Sequence, residues 1–238
     1  MADVSFDVLR SLEQVEAAER ELHERGLVRR PGALGRLRRD RFRSDPLKSW
    51  DVLRTLDAVL ESVPREAPVL DIGSFASAIP PALAAAGYTR VAGIDLDPQV
   101  RSMPEADRVE YVVGDLMETG WPDGHFAAVT AISVIEHGFE ADRLLPEIAR
   151  LLVPGGLFLF STDYWPEKID TSDTPLFGMT WTIFSAPEIN ELVDRARAHG
   201  LAPASDPGPE LRDLGEPPID FEGRRYTFLH GALAREGR

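Results

Sequence analysis

The feature that most constrains this chain is a rhythm between residues 68 and 162: short, continuous apolar runs rich in β-branched residues alternate with stretches of helical composition. The runs are PVLDI (68–72), RVAGIDL (90–96), VEYVVGD (109–115), FAAVTAIS (126–133) and GLFLFST (156–162). PPALAAAGY and ADRLLPEIARLLV are helical segments between them. Strands that are apolar throughout are buried on both faces, and strands separated by helices pair in parallel. The spacing therefore predicts an α/β fold, a doubly wound and mostly parallel sheet.

The flanks read differently. FDVLRSLEQVEAAERELHER (6–25) places Leu9, Leu12, Val15 and Leu22 near helical spacing, which predicts an amphipathic helix ending near Gly26. A second helix is expected from Asp45 and Pro46 to the stop at Pro64, with Leu47, Val52, Leu53, Leu56 and Leu60 mostly on one face. These two make residues 1–63 an N-terminal helical extension or lid ahead of a main domain at 64–238. At the other end, SAPEINELVDRARAHG is a helix with Ser185 as N-cap and Gly200 as C-cap, and RRYTFLHGALAR (224–235) reads as a last strand. No helix follows it, so it is expected to run antiparallel at an edge.

Composition narrows the chemistry. There is no cysteine, which removes disulfides, thiolate metal sites and thiol nucleophiles. The net charge of -14 opposes a nucleic-acid phosphate backbone as partner. The acidic start and the lack of any apolar run near the roughly 20 residues of a membrane span predict a cytoplasmic protein with no membrane partner. One segment runs against the balance: eight arginines and one acid lie between Arg25 and Arg43. It reads either as a solvated helix or linker offsetting an acidic body, or as a clamp for an anionic substrate or acidic partner.

In open α/β sheets ligands bind beyond the carboxyl ends of the strands. The polar residues after each run fall there: Asp71, Gly73, Ser74 and Ser77, then Asp95 and Asp97, then Asp115, then Ser133, Glu136 and His137, and last Ser161, Thr162 and Asp163. Asp95 stands 22 positions after Gly73, close to the interval at which an acid ending the second strand accepts hydrogen bonds from a ribose diol.

Taken in order, VLDIGSFAS, VAGIDLDP, VVGDLMETGWPDGHFAAVTAISVIEH and LLVPGGLFLFST resemble the consecutive motifs of class I S-adenosylmethionine-dependent methyltransferases. The resemblance implies a Rossmann-like, seven-stranded methyltransferase sheet at 64–238 and S-adenosyl-L-methionine as cofactor. Carried onto this chain, it implies that Asp71 and the backbone at Gly73 lie near the methionine part, with Ser74, Phe75 and Ser77 in the same loop. It puts Asp95, with Leu96 beside it, at the ribose, Asp115 at the adenine amino group, Leu116 against the ring, and Ser133 on the floor. Two departures stand out: Phe75 and Ser77 occupy positions where the family commonly has glycine, and Ala127 replaces an aspartate often found before the fourth strand. Either the loop is rerouted, with Phe75 beneath the cofactor or walling the substrate, or the site has decayed. The filled ligand positions favour rerouting.

The resemblance also brings Glu136 and His137 near the methyl-transfer face. His137 is the first candidate base, since an imidazole titrates near neutrality; it also reads as a helix cap, or as a metal ligand beside Glu136. Asp163 is the second candidate base. Trp50, Asp51, Glu136, Tyr164, Trp165 and Trp181 are candidates for the substrate side, though the tryptophans read equally as core. No histidine pair has zinc spacing, and no metal is expected.

The function expected is methyl transfer from S-adenosyl-L-methionine to an oxygen or nitrogen of a small molecule such as a sugar or secondary metabolite. The alternatives are a non-catalytic protein of the same fold, a non-methylating use of the cofactor such as cyclisation, and a nicotinamide-dependent oxidoreductase. The last lacks a full GxGxxG and a Tyr-x-x-x-Lys. Oligomeric state stays open, with the N-terminal helices as the surface through which a homodimer would form.

Overall fold

A computed structural model describes residues 6–28, 45–138 and 140–237. Its elements in chain order are β1 (Asp7–Val8), α1 (Leu12–Glu24), α2 (Ser49–Ser62), β2 (Val69–Ile72), α3 (Ile79–Ala85), β3 (Val91–Asp95) and β4 (Val109–Val113). They continue with β5 (Phe126–Ile132), α4 (Ala141–Leu151), β6 (Leu152–Tyr164), α5 (Ala186–Ala198), β7 (Leu201–Ala202), β8 (Ile219–Phe221) and β9 (Arg224–Arg235). The five apolar runs are β2 to β6, and the N-cap at Ser185 falls where expected, whereas the C-cap is His199, one residue before the expected Gly200. The Glu188 carboxylate accepts from the Ser185 N–H at 2.8 Å and from its hydroxyl at 2.7 Å, and Gly200 has φ of +74°.

The sheet order is β1-β9-β6-β5-β2-β3-β4, with β7 and β8 also paired to β9. The central pairs β6-β5, β5-β2, β2-β3 and β3-β4 are parallel, and β9 runs antiparallel to β6. All four residues of β2 are buried, as a central parallel strand requires. From β2 the chain steps to β3 and β4 on one side and to β5 and β6 on the other. The strand order therefore reverses between β2 and β5, which is where an open α/β sheet leaves a crevice.

The N-terminal segment departs from the expected continuous helix. Asp7 pairs with His230 and Val8 with Leu229 in antiparallel register, and the Leu9 N–H donates to the Phe228 carbonyl at 2.9 Å. Phe6 and Val8 are buried in the core and Asp7 is half-buried, a period of two too brief to show in sequence. The helix starts only at Leu12, after Ser11, whose N–H is accepted by the Gln14 side chain at 3.2 Å. The outer side of β9 is thus covered in turn by β8, β1 and β7.

Helix α1 turns Val15, Ala18 and Leu22 toward the core that also holds Trp50, Val52, Leu56 and Val59 of α2, together with Val69, Leu83 and Val91 of the main sheet unit. The expected extension and the expected domain share this core. Most of the arginine-rich stretch from Arg25 to Arg43 lies outside the described residues; Arg25 itself pairs with Asp57 at 2.5 Å and with Glu21 at 3.3 Å.

Candidate active site

A cavity of about 1030 Å³ opens at the carboxyl ends of β2 to β6. That is the upper end of the range for a single small ligand and leaves room for a cofactor and a second molecule. One half is built by the strand-exit loops. Gly73 has φ of +66°, and a Cβ there would overlap the Val134 side chain, so the loop after β2 needs glycine for both conformation and clearance. Ser74 then turns inward over Gly93, where a Cβ would collide with it.

The Phe75 N–H donates to the Asp95 carboxylate at 2.9 Å, and the Asp97 N–H donates to the other oxygen of the same group at 2.8 Å. Each oxygen keeps a further lone-pair direction. Ala76 takes φ of +60°, costly for a residue with a side chain, and the Ser77 hydroxyl accepts from the Ile79 N–H at 3.2 Å. Asp115 accepts from the Met117 N–H at 2.8 Å and from Arg143 at 2.9 Å. Leu96, 62% exposed, and Leu116 flank these carboxylates on the cavity wall. Ser133, at φ of +53°, contributes a buried hydroxyl with no hydrogen bond among the described residues.

The other half converges from distant segments. Lys48, Glu136, His137 and Asp163 line it with Leu12, Leu47, Val52, Phe177, Phe221, Tyr226 and Phe228. Lys48 Nζ lies 3.5 Å from Asp51, 3.7 Å from Asp163 and 3.3 Å above the Phe228 ring. Burial works against its charge, but Asp51, Asp163 and Glu136 outweigh it and raise the ammonium above its ordinary value. Glu136 is 1% exposed and accepts from the Thr162 hydroxyl at 3.3 Å. Burial first, then the neighbouring Asp163, pushes its carboxyl up to about 8 against the pull of Lys48. Asp51, likewise lifted to about 6 by burial, accepts from Ser161 at 3.0 Å.

His137 has its ring edge-on to Phe177 at 5.2 Å. Burial lowers its pKa, with Asp163 opposing, so the ring is neutral near pH 7. Asp163 accepts from the Trp181 indole N–H at 2.8 Å. Among the described residues no group of three or more His, Cys, Asp or Glu is arranged to hold a metal ion, and no helix is long and apolar enough to cross a membrane.

Gly73, Phe75, Ser77, Asp95, Leu96, Asp115, Leu116, Ser133, Glu136, His137 and Asp163 therefore meet at one cavity, whereas other expected site residues do not reach its wall. Asp71 is fully buried beneath the loop, accepting from Thr130 at 2.6 Å, and burial raises its carboxyl to about 6. Ser74 is buried beside it. Among the aromatic candidates, Tyr164 is core and donates to the Leu211 carbonyl at 2.7 Å; Trp50 packs in the α1–α2 core; Trp165 packs between the two cores. Trp181 stands behind Asp163 and orients it. Asp51, expected on the substrate side, is fully buried behind Lys48 rather than on the wall. Sequence reasoning missed Lys48, Tyr226 and Phe228; Lys48, three residues before Asp51, forms a charged pair of a kind that is ordinary on a solvated face.

Residues 70–160 match the methyltransferase domain family. A protein of Mycolicibacterium smegmatis named "Probable S-adenosylmethionine-dependent methyltransferase" is 36% identical over 112 residues, covering 45% of this chain and 42% of that relative. The chain thus spans less than half the length of this curated relative. Among solved structures, an S-adenosylmethionine-dependent methyltransferase from Mesorhizobium loti superposes with a TM-score of 0.57 at 19% identity, over 78% of this chain and 98% of that one. The [4+2]-cyclase SpnF superposes with a TM-score of 0.59 at 17% identity, over 98% and 99%. These likenesses establish the fold.

Proposed function

We propose that this chain, whose residues 70–160 match the methyltransferase domain family, transfers a methyl group from S-adenosyl-L-methionine to an oxygen or nitrogen of a small molecule. One observation carries the reading: the Phe75 and Asp97 N–H groups hold the Asp95 carboxylate on the wall of a two-ligand cavity at the point where strand order reverses. Ala76 in the loop after β2 and Ser133 in the turn after β5, both on the cavity wall, also hold left-handed backbone, a strain of the kind that gathers at ligand sites.

On this reading Asp95 takes the ribose hydroxyls, Asp115 the adenine amino group, Leu96 and Leu116 the faces of the ring, and Gly73 and Ser133 the floor. Asp71 acts through Thr130 and the loop rather than by contact. Phe75 works through its backbone, which answers how the loop does without the usual glycine. When bound, the cofactor supplies a methyl already activated on a sulfonium. The chain's part is to align the acceptor, exclude water and take up a proton. Residues 1–63 act as the lid over the 64–238 domain, since Leu12, Asp45, Leu47, Lys48 and Val52 wall the acceptor half. His137, Asp163 and Glu136 are the groups there able to take the proton.

Calorimetric titration with S-adenosyl-L-methionine, S-adenosyl-L-homocysteine and NAD tests this. Binding of both sulfur compounds and not of NAD is expected; binding of neither overturns the reading. Binding without homocysteine-product formation on any acceptor would instead favour a non-methylating role.

A further inference from the structure

Lys48, Glu136 and Asp163 meet on the half of the cavity away from Asp95 and Asp115. Lys48 reaches the cavity wall with a buried ammonium whose carboxylate partners, Asp51 at 3.5 Å and Asp163 at 3.7 Å, stand too far off to satisfy all its N–H groups. Three N–H donors held out of water in this way need an oxygen or nitrogen lone pair. Glu136 shares the same wall, buried, with the Thr162 hydroxyl 3.3 Å from one of its oxygens. Asp163 is differently placed: Trp181 occupies one of its oxygens and Lys48 faces the other, so it serves as counter-ion. Around this polar centre stand Leu12, Leu47, Val52, Phe177, Ile219 and Phe221.

Resting on the methyltransferase reading above, we propose that the acceptor is an apolar molecule bearing a hydroxyl or phenol, and that Lys48 holds its oxygen while Glu136 accepts its proton. The number of lone pairs decides for oxygen. A hydroxyl oxygen accepts from Lys48 with one lone pair and keeps the second to attack, while its hydrogen points to Glu136. A neutral amine that accepts from Lys48 has spent its single lone pair, and an ammonium has none with which to attack. In the transfer step the free lone pair forms the O–CH3 bond as the methyl carbon's bond to the sulfonium breaks. That electron pair stays on sulfur as a thioether, and the O–H proton passes to the Glu136 carboxylate. Charge and atoms balance with no other reactant.

Three probes that differ only in the polar head test the selection: 4-butylphenol, 4-butylaniline and 4-butylanisole, titrated calorimetrically into the full chain saturated with S-adenosyl-L-homocysteine. The phenol is expected to bind at least about tenfold tighter than the other two. Lys48→Met should erase that preference and Lys48→Arg should retain it, with homocysteine-product affinity within about twofold in both. Glu136→Gln should leave phenol binding within about threefold yet slow its conversion to 4-butylanisole by at least about a hundredfold. Equal or tighter binding of the aniline overturns the proposal, as does failure of all three probes while the homocysteine compound binds. Failure of that compound to bind overturns the methyltransferase reading beneath it instead.

Discussion

The two halves of the cavity are built in opposite ways. On the side proposed for the cofactor, β3 and β4 hand Asp95 and Asp115 to the wall within two positions of their own ends, and neighbouring backbone N–H groups fix them, as Phe75 and Asp97 fix Asp95 and Met117 fixes Asp115. On the acceptor side the polar centre is assembled from α2, the turn after β5, the end of β6 and β9, and its charges hold one another: Lys48 between Asp51 and Asp163, with Glu136 nearby. The first construction is local and tolerant, since backbone groups survive side-chain change. The second is cooperative, because removing one buried charge leaves its partners uncompensated.

Substitutions should therefore hurt more, and differently, on the acceptor side. The largest effect expected is the loss of at least about a hundredfold in turnover for Glu136→Gln, measured as homocysteine-product release, with cofactor affinity retained. Next, Asp95→Ala should weaken cofactor binding by about 1.5–3 kcal/mol, roughly tenfold to a hundredfold, in a calorimetric titration. Smaller again is the response to pH. A base must be deprotonated, and Glu136 is pushed up to about 8, so turnover should climb up to tenfold per pH unit on approaching that value and level off above it. Lys48, Asp51, Asp163, His137 and Tyr226 face or flank this group. A profile flat from acid to neutral pH would remove Glu136 as the base. The smallest effect is that of Phe75→Ala, which keeps the N–H on Asp95 and should cost less than about fivefold in cofactor affinity; a larger loss would show that the ring, not the backbone, carries the contact.

The same contrast explains which features are legible in the amino-acid sequence. The five parallel strands and the terminal strand at 224–235 are legible because each is a continuous apolar run with its turn residues beside it. The strand-end acids Asp95 and Asp115 are legible for the same local reason. Asp7 and Val8 are not, since two residues cannot display a period and their pairing partners, His230 and Leu229, lie at the far end of the chain. Lys48 is not, because what buries it is Asp163 and Phe228, more than a hundred residues away. Composition misleads at the tryptophans: Trp181 needs only one acceptor for its indole N–H and finds it in Asp163, which holds it behind the wall rather than on it.

The central claim is that one cavity holds two separable sites, and the most direct test is the affinity for S-adenosyl-L-homocysteine measured side by side in the native chain, Asp95→Ala and Glu136→Gln. The account predicts a loss of about tenfold or more for Asp95→Ala and a change within about twofold for Glu136→Gln. Equal losses in both variants, or a loss confined to Glu136→Gln, would contradict it.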